Sequence, residues 1–442
     1  MKKDEFLGHP KGLAILFCTE MWERFSYYGI RSILVLYMVS KVANGGLGWT
    51  DAEALSVFGT YQFFAALTAI PGGMIADRWL GQRLCAWIGC LLISIGNFTL
   101  VMPGMSSFYA GLALIAIGGG CLKPNISTMV SRLYKPGDPR RESGFTLFYL
   151  SVNIGACASG FIVGFLAQKY GWRMGFLASG IGMLFGQFMY MFGQRYLKSV
   201  DTIRDNVQKV VTEKAPLTKN EIRRLVIILI SFICITIFFT AYEQCGGLLN
   251  IYTDRFTDRT IEAFTIPFTS HIVKTFEIPA ASFQSLNPFF VIVLAPLIAA
   301  FWTFLGKRGK DLSAFSKMGL GAIILGVGYL FMLAAIMQRD ASPAHLSSMS
   351  WIVLVIFMTT IGELALAPVS LSFITATAPQ RIASMVLGLY IATAGISGWC
   401  AAKVGALAQG HGEKTVFLGL AAVTILVGSL QMIFSKRITR GT

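Results

Sequence analysis

Long apolar blocks dominate the sequence, where a soluble domain would show short amphipathic patterns. Most blocks reach about twenty residues, the length at which an α-helix crosses roughly 30 Å of hydrocarbon. A transmembrane β-barrel would instead show strands of about ten residues with alternating polar and apolar positions. The pattern therefore predicts an all-α polytopic membrane protein. We place twelve spans at approximately 13–40, 54–76, 83–103, 107–131, 143–168, 173–195, 223–250, 286–306, 315–337, 350–376, 381–408 and 414–435.

A polar stretch from Tyr196 to Arg224 lies midway along the chain and separates the spans six and six. This layout is typical of two helix bundles that move about a central site. It predicts an amino-terminal six-helix bundle over residues 1–195, a linker over 196–224 and a carboxy-terminal six-helix bundle over 225–442. The loop at 251–283, which follows span 7, is unusually long, and the sequence assigns it no function.

Basic residues are distributed unevenly between the two sides of the predicted membrane. An even number of spans places both termini on one side, and most of the 37 Lys and Arg residues fall on that side. The positive-inside rule identifies it as cytoplasmic. We therefore expect a multi-pass protein of the plasma (cytoplasmic, or inner) membrane with both termini cytoplasmic. The first span carries Glu20, Glu23 and Arg24, which a cleavable signal peptide would not, so we expect it to be retained.

The composition excludes several other classes of protein. Loop asymmetry explains the net charge of +15 better than nucleic-acid binding does. The eight cysteines include no CxxC motif and the four histidines fall outside the spans, so we expect neither a metal site nor an intramembrane histidine relay. No Ser/His/Asp set or phosphate-binding loop indicates an enzyme, and no appended sensor domain indicates a receptor.

Eight acidic or basic residues fall inside the predicted spans. A charge at bilayer depth costs a few kcal/mol on insertion scales, so such residues usually face a partner or a water-filled cavity. Four are acids and four are bases, which allows mutual pairing. They are Glu20, Glu23, Arg24, Arg31, Lys123, Glu243, Glu363 and Lys403.

Span 1 carries six polar or aromatic residues on one helix face, because their spacing follows i, i+3, i+4, i+7, i+8 and i+11. Two interpretations remain open. The stripe can be a purely architectural salt-bridge network, or it can be a site where carboxylates bind protons. Burial favours the neutral carboxyl group and a nearby base favours the charged one, so small rearrangements can change its protonation. The six residues are Glu20, Glu23, Arg24, Tyr27, Tyr28 and Arg31.

The remaining charges are divided between the two predicted bundles. Lys123 stands beside Pro124 in the apolar fourth span, whereas Glu243 and Glu363 lie in spans 7 and 10. Acids of one bundle that face bases of the other would act as latches for alternating access. We predict two such pairs, Arg31 with Glu243 and Lys123 with Glu363. Lys403 lies near the end of its helix, where we expect it to extend toward the membrane surface.

The loop between spans 2 and 3 reads GMIADRWLGQR and resembles the signature loop of the major facilitator superfamily. Together with the six-plus-six layout, it implies the major facilitator fold with 12 transmembrane helices. The matching residues are Gly73, Asp77, Arg78, Gly81 and Arg83.

Five further motifs resemble those of the proton-dependent oligopeptide transporters. The string EMWERFSYYGIR, from Glu20 to Arg31, is similar to that family's first-span signature. The others are GCLKPNIS around Lys123, FYLSVNIG from Phe148, FQSLNP around Asn287 and GELALAPVSLS from Glu363. These motifs occur in both predicted bundles.

The resemblance implies a role for each matching residue. Glu20, Glu23, Arg24 and Glu243 would take part in proton coupling, and Glu243 would also bridge the first-span arginine. Arg31 and Lys123 would bind the carboxylate of a peptide, and Glu363 its amino terminus. Other residues would line the substrate site, with the two asparagines bound to the peptide backbone: Tyr27, Tyr28, Asn153, Asn287, Phe239 and Tyr390.

Three aromatic positions depart from the family pattern. Phe239 and Tyr390 stand where the family usually has tryptophan, and Ala66 stands where a tyrosine is often found. If all three line the pocket, its aromatic wall is smaller and the cavity wider. The alternative is ordinary variation within the family.

The leading functional prediction is a proton-coupled symporter that imports di- and tripeptides by alternating access. We expect no cofactor, with protons as the coupling ion. We expect a monomer whose partners are a small peptide, protons and the lipid bilayer. One alternative is a symporter of the same fold for a different or bulkier zwitterionic or acidic molecule. Another is a proton/drug antiporter, against which the family motifs and the charges suited to a zwitterion both argue.

Overall fold

The computed structural model describes residues 5–439 apart from residue 7 and the segments 136–137, 201–217, 266–271, 311 and 380–381. The described residues form fifteen α-helices. They are α1 (Lys11–Val39), α2 (Asp51–Leu67), α3 (Ala69–Ile75), α4 (Gly81–Val101), α5 (Met105–Arg132), α6 (Arg140–Tyr170), α7 (Trp172–Gly193), α8 (Lys219–Tyr242), α9 (Leu248–Phe256), α10 (Leu286–Lys307), α11 (Ala314–Ala341), α12 (Met349–Thr377), α13 (Ala383–Ala406), α14 (Ala408–His411) and α15 (Glu413–Thr439).

Strands are short and lie at the ends of the helices. The described residues contain four two-stranded pairs, three antiparallel and one parallel. The pairs are β1 (Glu5–Phe6) with β2 (His9–Pro10), β3 (Thr257–Asp258) with β8 (Ser347–Ser348) in parallel, β4 (Thr260–Ile261) with β7 (Phe276–Glu277), and β5 (Phe264–Thr265) with β6 (Ile272–Val273).

Ten helical segments in the described part are long and apolar enough to cross a membrane. One of them, Asp51–Val101, includes both α2 and α4, between which the chain turns at Gly81 with a φ of +76°. Helix α1 is outside this set because Glu20, Glu23 and Arg24 fall in its middle. With these two taken into account, the helices are consistent with the twelve predicted spans. The prediction of an all-α membrane fold is confirmed.

Two spans are less regular than the sequence pattern predicts. Predicted span 2 consists of α2 and α3, which meet at Thr68, and the Thr68 hydroxyl donates to the Ala116 carbonyl of α5 at 2.8 Å. Predicted span 7 is not one helix over 223–250, because a 3₁₀ turn over Glu243–Gly246 separates α8 from α9. Hydropathy does not register the break at Thr68, which has apolar neighbours, and at the second break Glu243 and Gln244 are too few to interrupt the apolar block.

The buried apolar residues form two cores. One extends from Leu13 to Val200 and takes in Ile251, Ala280 and Ala281 from the second half of the chain. The other extends from Ile227 to Ala421. The two cores match the six-plus-six layout, while the predicted linker at 196–224 lies largely outside the described residues and its bounds stay a prediction.

Contacts between the two halves concentrate on the side of the membrane away from the termini. There α2 packs against α13, and a Cβ added to Gly59 would contact the Ala402 Cβ. The 3₁₀ turn Ala280–Ser285 packs against α6 in the same way, with the Ser282 hydroxyl donating to the Gly160 carbonyl at 3.2 Å. Arg255 and Asp51 form a two-point ion pair there, with both distances 2.7 Å. This side is closed.

A cavity of about 1070 Å³ lies between the helices on the other side. It extends from Glu363, in the middle of α12, to Ser313 and Ala314 at the start of α11. Since α11 begins on the side of the termini, the cavity reaches toward that side. The structure is therefore closed on the far side and has its large cavity on the side of the termini.

The contact between α6 and the turn at 280–285 can be tested by cross-linking. A Cβ added to Gly164 would lie 3.0 Å from the Ala281 Cβ, close to the roughly 3.5–4.5 Å that a disulfide spans. We predict that the double variant Gly164→Cys/Ala281→Cys forms a disulfide in membranes under mild oxidation, measured by peptide mapping. Gly104→Cys with Ala281→Cys is the control, because nothing lies within 4 Å of a Cβ at Gly104. Equal cross-linking of both pairs would contradict the closed arrangement.

Candidate functional site

The polar face of α1 points into the protein. Glu20, Glu23 and Arg31 are all buried, although they lie along a helix that crosses the membrane. Glycine at position 155 lets α6 approach this face, since an added Cβ would meet the Met21 carbonyl oxygen. The polar face that the sequence predicts is therefore buried, and no residue of α1 is exposed.

Arg24 is held between two carboxylates. Its Nε lies 2.9 Å from Glu20 Oε1 and 2.6 Å from Glu23 Oε2. The guanidinium also lies 5.5 Å from the centre of the Tyr27 ring. Two acids share one arginine, so this triad has an excess of one negative charge when both carboxyl groups are ionised.

Lys123 approaches the same group of residues from α5. Its Nζ lies 3.9 Å from the centre of the Tyr27 ring, a cation–π contact that stabilises an ammonium group out of water. It interacts electrostatically with Glu20 and Glu23 but forms no ion pair within 4 Å in the described part of the chain. Lys123 is thus a half-buried cation that balances the triad without direct contact.

Arg31 and Glu243 connect the two halves of the protein. Arg31 Nη2 donates to Glu243 Oε2 at 2.8 Å, and both side chains are largely buried. Glu243 reaches this position because α8 ends at Tyr242 and the chain continues as a 3₁₀ turn. Gly246 in that turn leaves room for the guanidinium, since a Cβ there would lie 2.9 Å from Arg31 Nε. The sequence-predicted pair of Arg31 with Glu243 is present in the structure.

One donor of Arg31 remains available. Its Nε is buried and has no hydrogen-bond partner among the described residues. A buried N–H without an acceptor costs free energy, which an incoming carboxylate would recover. The Tyr28 ring lies 5.7 Å from the guanidinium and limits its movement.

Glu363 lies in a hydrogen-bonded group on the opposite half. Asn287 Nδ2 donates to Glu363 Oε2 and to Thr360 Oγ1, both at 3.0 Å. The Tyr242 hydroxyl donates to Asn287 Oδ1 at 3.2 Å. These bonds orient Glu363 without neutralising it, because Asn287, Thr360 and Tyr242 are uncharged.

The predicted pair of Lys123 with Glu363 is wrong for this conformation. Lys123 packs on Tyr27 in the first half of the chain, and Glu363 bonds to Asn287 in the second. No ion pair joins them within the described ranges. The sequence shows that Lys123 and Glu363 both lie in spans. It does not show that the two halves meet at other residues, on the closed side, while Lys123 and Glu363 stay apart.

The aromatic departures do not all have the predicted effect. Ala66 packs against α13 at Gly395, midway along that helix, so its small size permits helix contact there rather than enlarging the pocket. The Tyr390 hydroxyl lies 3.2 Å from Ser370 Oγ, and Tyr390 lines the large cavity with Glu363. The Phe239 ring lies 5.7 Å from that of Tyr242, with the rings edge to face. The prediction of a wider pocket from Ala66 is therefore corrected.

The other candidate residues have local roles. Asn153 donates from Nδ2 to the Tyr149 carbonyl of its own helix at 3.0 Å. In the signature loop, Gln82 donates to Asp77 at 2.9 Å, and Arg83 donates to Gln194 at 3.0 Å. Gly73, Arg78 and Gly81 lie in the same loop.

Lys403 is exposed, with its Nζ 3.4 Å from Ser56 Oγ, in agreement with its expected position near the membrane surface. Among the described residues no group of His, Cys, Asp and Glu side chains has the arrangement of a metal site.

Several residues of the site were absent from the sequence prediction. Tyr242 and Thr360 orient Asn287, Gly246 makes room for Arg31, and Tyr149 lines the large cavity. Tyr242 precedes Glu243 and so was adjacent to a recognised charge, which is a usable signal. Gly246 and Thr360 carry no such signal, because glycine and threonine are common in membrane helices.

Comparison with known proteins identifies similar chains along almost the whole length. A family model described as POT family matches residues 83–219 and 214–416. Peptide transporter YePEPT of Yersinia enterocolitica is 32% identical over a match that covers 92% of this chain and 88% of that protein. The di-/tripeptide transporter of Lactococcus lactis subsp. lactis is 32% identical, with 98% of this chain and 97% of that protein covered.

Solved structures also match this chain along almost its whole length. The crystal structure of a variant of peptide transporter POT in complex with alafosfalin has a TM-score of 0.89 at 29% identity, and the match covers 99% of this chain and 97% of that one. A POT family transporter in complex with 5-aminolevulinic acid has a TM-score of 0.88 at 28% identity, covering 99% and 98%.

The Arg31–Glu243 contact can be measured by a double-mutant cycle. Removal of one partner leaves the other charge buried and unpaired, which costs about 3–5 kcal/mol of unfolding free energy. We predict that Arg31→Met and Glu243→Gln each lower the thermal stability of the purified protein in detergent, and that the double variant loses much less than their sum. Additive losses would show that the two charges are not coupled. The pair Lys310→Met and Glu243→Gln is the control, since Lys310 is exposed in the loop that follows α10.

Proposed function

The chain belongs to the POT family, and we propose that it is a proton-coupled symporter that imports di- and tripeptides by alternating access. The observation that carries this proposal is the separation of Lys123 from Glu363. One half-buried cation and one half-buried anion lie on opposite halves, each without an ionic partner within the described residues. A peptide is a zwitterion, and its two ends match these two groups.

The proposed binding mode follows from the donors and acceptors present. Lys123 and Arg31 Nε donate hydrogen bonds to the peptide carboxylate, while Glu363 accepts hydrogen bonds from the ammonium group. Charge-assisted hydrogen bonds of this kind are about twice as strong as neutral ones, and they replace the hydration that both ends of the peptide lose. Asn287 and Asn153 bind the peptide backbone between the two ends.

Proton coupling follows from the Arg31–Glu243 pair. While both are charged, the pair holds the two halves together beside the closed side. Protonation of Glu243 removes the attraction and frees the guanidinium for the peptide carboxylate. A proton and a peptide therefore bind cooperatively, which is the requirement for symport. Glu20 and Glu23 provide a second place for a proton, next to Arg24.

The setting of this activity is proposed in the same way. The chain is a multi-pass membrane protein of a transporter family, and we propose that it works as a monomer in the plasma (inner) membrane with both termini cytoplasmic. The large cavity then opens to the cytoplasm. Protons are the coupling ion, no other cofactor is required, and catalysis of a chemical reaction is not part of the function.

A second candidate substrate class is favoured by the size of the cavity. About 1070 Å³ exceeds what a dipeptide fills, so a bulkier zwitterionic or acidic molecule would also fit beside Glu363. Proton/drug antiport is disfavoured, because the separated acid and base match a zwitterion better than a lipophilic cation.

Uptake into proteoliposomes tests the proposed function. With an imposed inward proton gradient, we predict accumulation of dialanine that collapses when a protonophore is added. Lys123→Ala should reduce it at least about tenfold, the effect of losing one charged hydrogen bond. Lys403→Ala removes the same charge from an exposed position and should have little effect. Accumulation that persists without the gradient would defeat proton coupling.

Glu243→Gln separates transport from proton coupling. Glutamine resembles the protonated glutamate and cannot release a proton, so the variant should lose gradient-driven accumulation. It should still exchange labelled for unlabelled dialanine across the membrane, because exchange requires no net proton movement. Both activities are measured in the same vesicles. Retention of gradient-driven accumulation in this variant would rule out Glu243 as a coupling site.

A further inference from the structure

A second bond joins α1 to the broken helix of the other half, beside the ion pair of Arg31 with Glu243. Asn250 Nδ2, near the start of α9, donates to the backbone carbonyl oxygen of Ser32 at 2.9 Å. Both Asn250 and Ser32 are buried. Ser32 follows Arg31 directly along α1, and the 3₁₀ turn that begins at Glu243 leads into α9. The ionic bond and the neutral bond are therefore neighbours in the same contact between the two halves.

The two bonds respond differently to a proton and to a substrate. In the binding mode proposed above, protonation of Glu243 frees Arg31 for the peptide carboxylate, so the ionic bond is lost in the loaded protein. The amide of Asn250 and the carbonyl of Ser32 are uncharged and do not titrate. Their bond can persist after the ion pair has separated, and α1 then keeps a contact with α9.

Asn250 is only half satisfied in the closed arrangement. Its Oδ1 atom is buried and has no hydrogen-bond partner among the described residues. A buried acceptor without a donor costs free energy, which water recovers once the far side opens. The same amide therefore stabilises closure through Nδ2 and favours opening through Oδ1. A contact of this kind holds the far side closed without making closure permanent.

Other polar contacts on the closed side are less suited to this task. The side chains of Arg255 and Asp51 are 39% and 27% exposed, and an ion pair in contact with water contributes little. The Ser282 hydroxyl donates to the Gly160 carbonyl at the longer distance of 3.2 Å. The bond of Asn250 is shorter, is buried at both ends and lies next to the pair that must separate.

We propose that Asn250 is a positioning residue that keeps the far side closed while Arg31 is engaged by the substrate. Without its bond to Ser32, separation of the ion pair would also release α9 from α1, and the loaded protein would reopen toward the side from which the peptide came. This inference rests on the proposed function, and it adds the contact that keeps the far side closed once the charged pair has separated.

Cross-linking in a Glu243→Gln background tests the proposal, because glutamine removes the charge of the ionic bond. The pair Gly164→Cys/Ala281→Cys reports far-side closure. Asn250→Leu keeps a similar volume but cannot donate, and the Ser32 carbonyl keeps the hydrogen bond that it accepts within its own helix. With Glu243 present, Asn250→Leu should change the rate of disulfide formation little. With Glu243→Gln it should lower that rate about fivefold, the effect of one buried hydrogen bond.

Asn97→Leu is the matched control. Asn97 is also buried and also has an unpartnered Oδ1, but its amide donates to Ser26 and Ile93 within the first half of the chain. This substitution removes a buried amide without removing a bond between the halves. It should leave the cross-linking rate unchanged in both backgrounds.

The outcomes are distinguishable from failure of the proposed function, because cross-linking requires no substrate. Equal rates in Glu243→Gln with and without Asn250→Leu would overturn the role of Asn250, and so would an equal fall in Asn97→Leu. A fivefold fall that is specific to Asn250→Leu, in a protein whose native form takes up no dialanine, supports the contact and overturns the proposed transport. If Asn250→Leu does not fold, as judged by size-exclusion chromatography, Asn250→Ala decides the question, since alanine also lacks the donor.

Discussion

The ion pair between Arg31 and Glu243 is the interaction on which the arrangement of the two halves depends. It joins a helix of the first core to a broken helix of the second, at 2.8 Å and largely out of water. A buried ion pair stabilises only when its geometry is good, because both charges have lost their hydration. The 3₁₀ turn after α8 and the missing side chain at Gly246 supply that geometry. These backbone features bring the two charged groups to hydrogen-bonding distance.

Around this pair, the two sides of the membrane are built differently. On the far side small residues bring helices into close contact, as at Gly59 with Ala402 and at Gly164 with Ala281. Such contacts depend on shape and can separate without leaving a charge unpaired. The Arg31–Glu243 pair is different, because its separation requires a proton or a substituting anion. The small-residue contacts allow the far side to close. The charged pair makes that closure depend on whether a proton or a substituting anion is bound.

Sequence predicted the features that follow from helical periodicity and failed where two helices must be placed relative to each other. The stripe from Glu20 to Arg31 could be read directly, since a helix fixes which residues share a face. The Arg31–Glu243 pair was also predicted, whereas the Lys123–Glu363 pair was wrong by the same reasoning. Charge complementarity limits the choice of partners, but the conformation decides which pair meets. Ala66 was misread because a missing aromatic ring looks the same in a sequence whether it widens a pocket or tightens a helix contact.

The charges that remain unmatched explain why proton and substrate binding would be linked. Glu20 and Glu23 share Arg24, so this triad is one negative charge in excess, and Lys123 balances it from across the Tyr27 ring. A carboxylate that binds Lys123 removes this balance and leaves the buried group with net negative charge. The cost of that charge in a medium of low dielectric constant is large, and one proton on Glu20 or Glu23 cancels it. On this argument the coupling does not need a relay of protonatable groups along the membrane. It follows from the rule that a buried cluster stays close to neutral whether or not the substrate is bound.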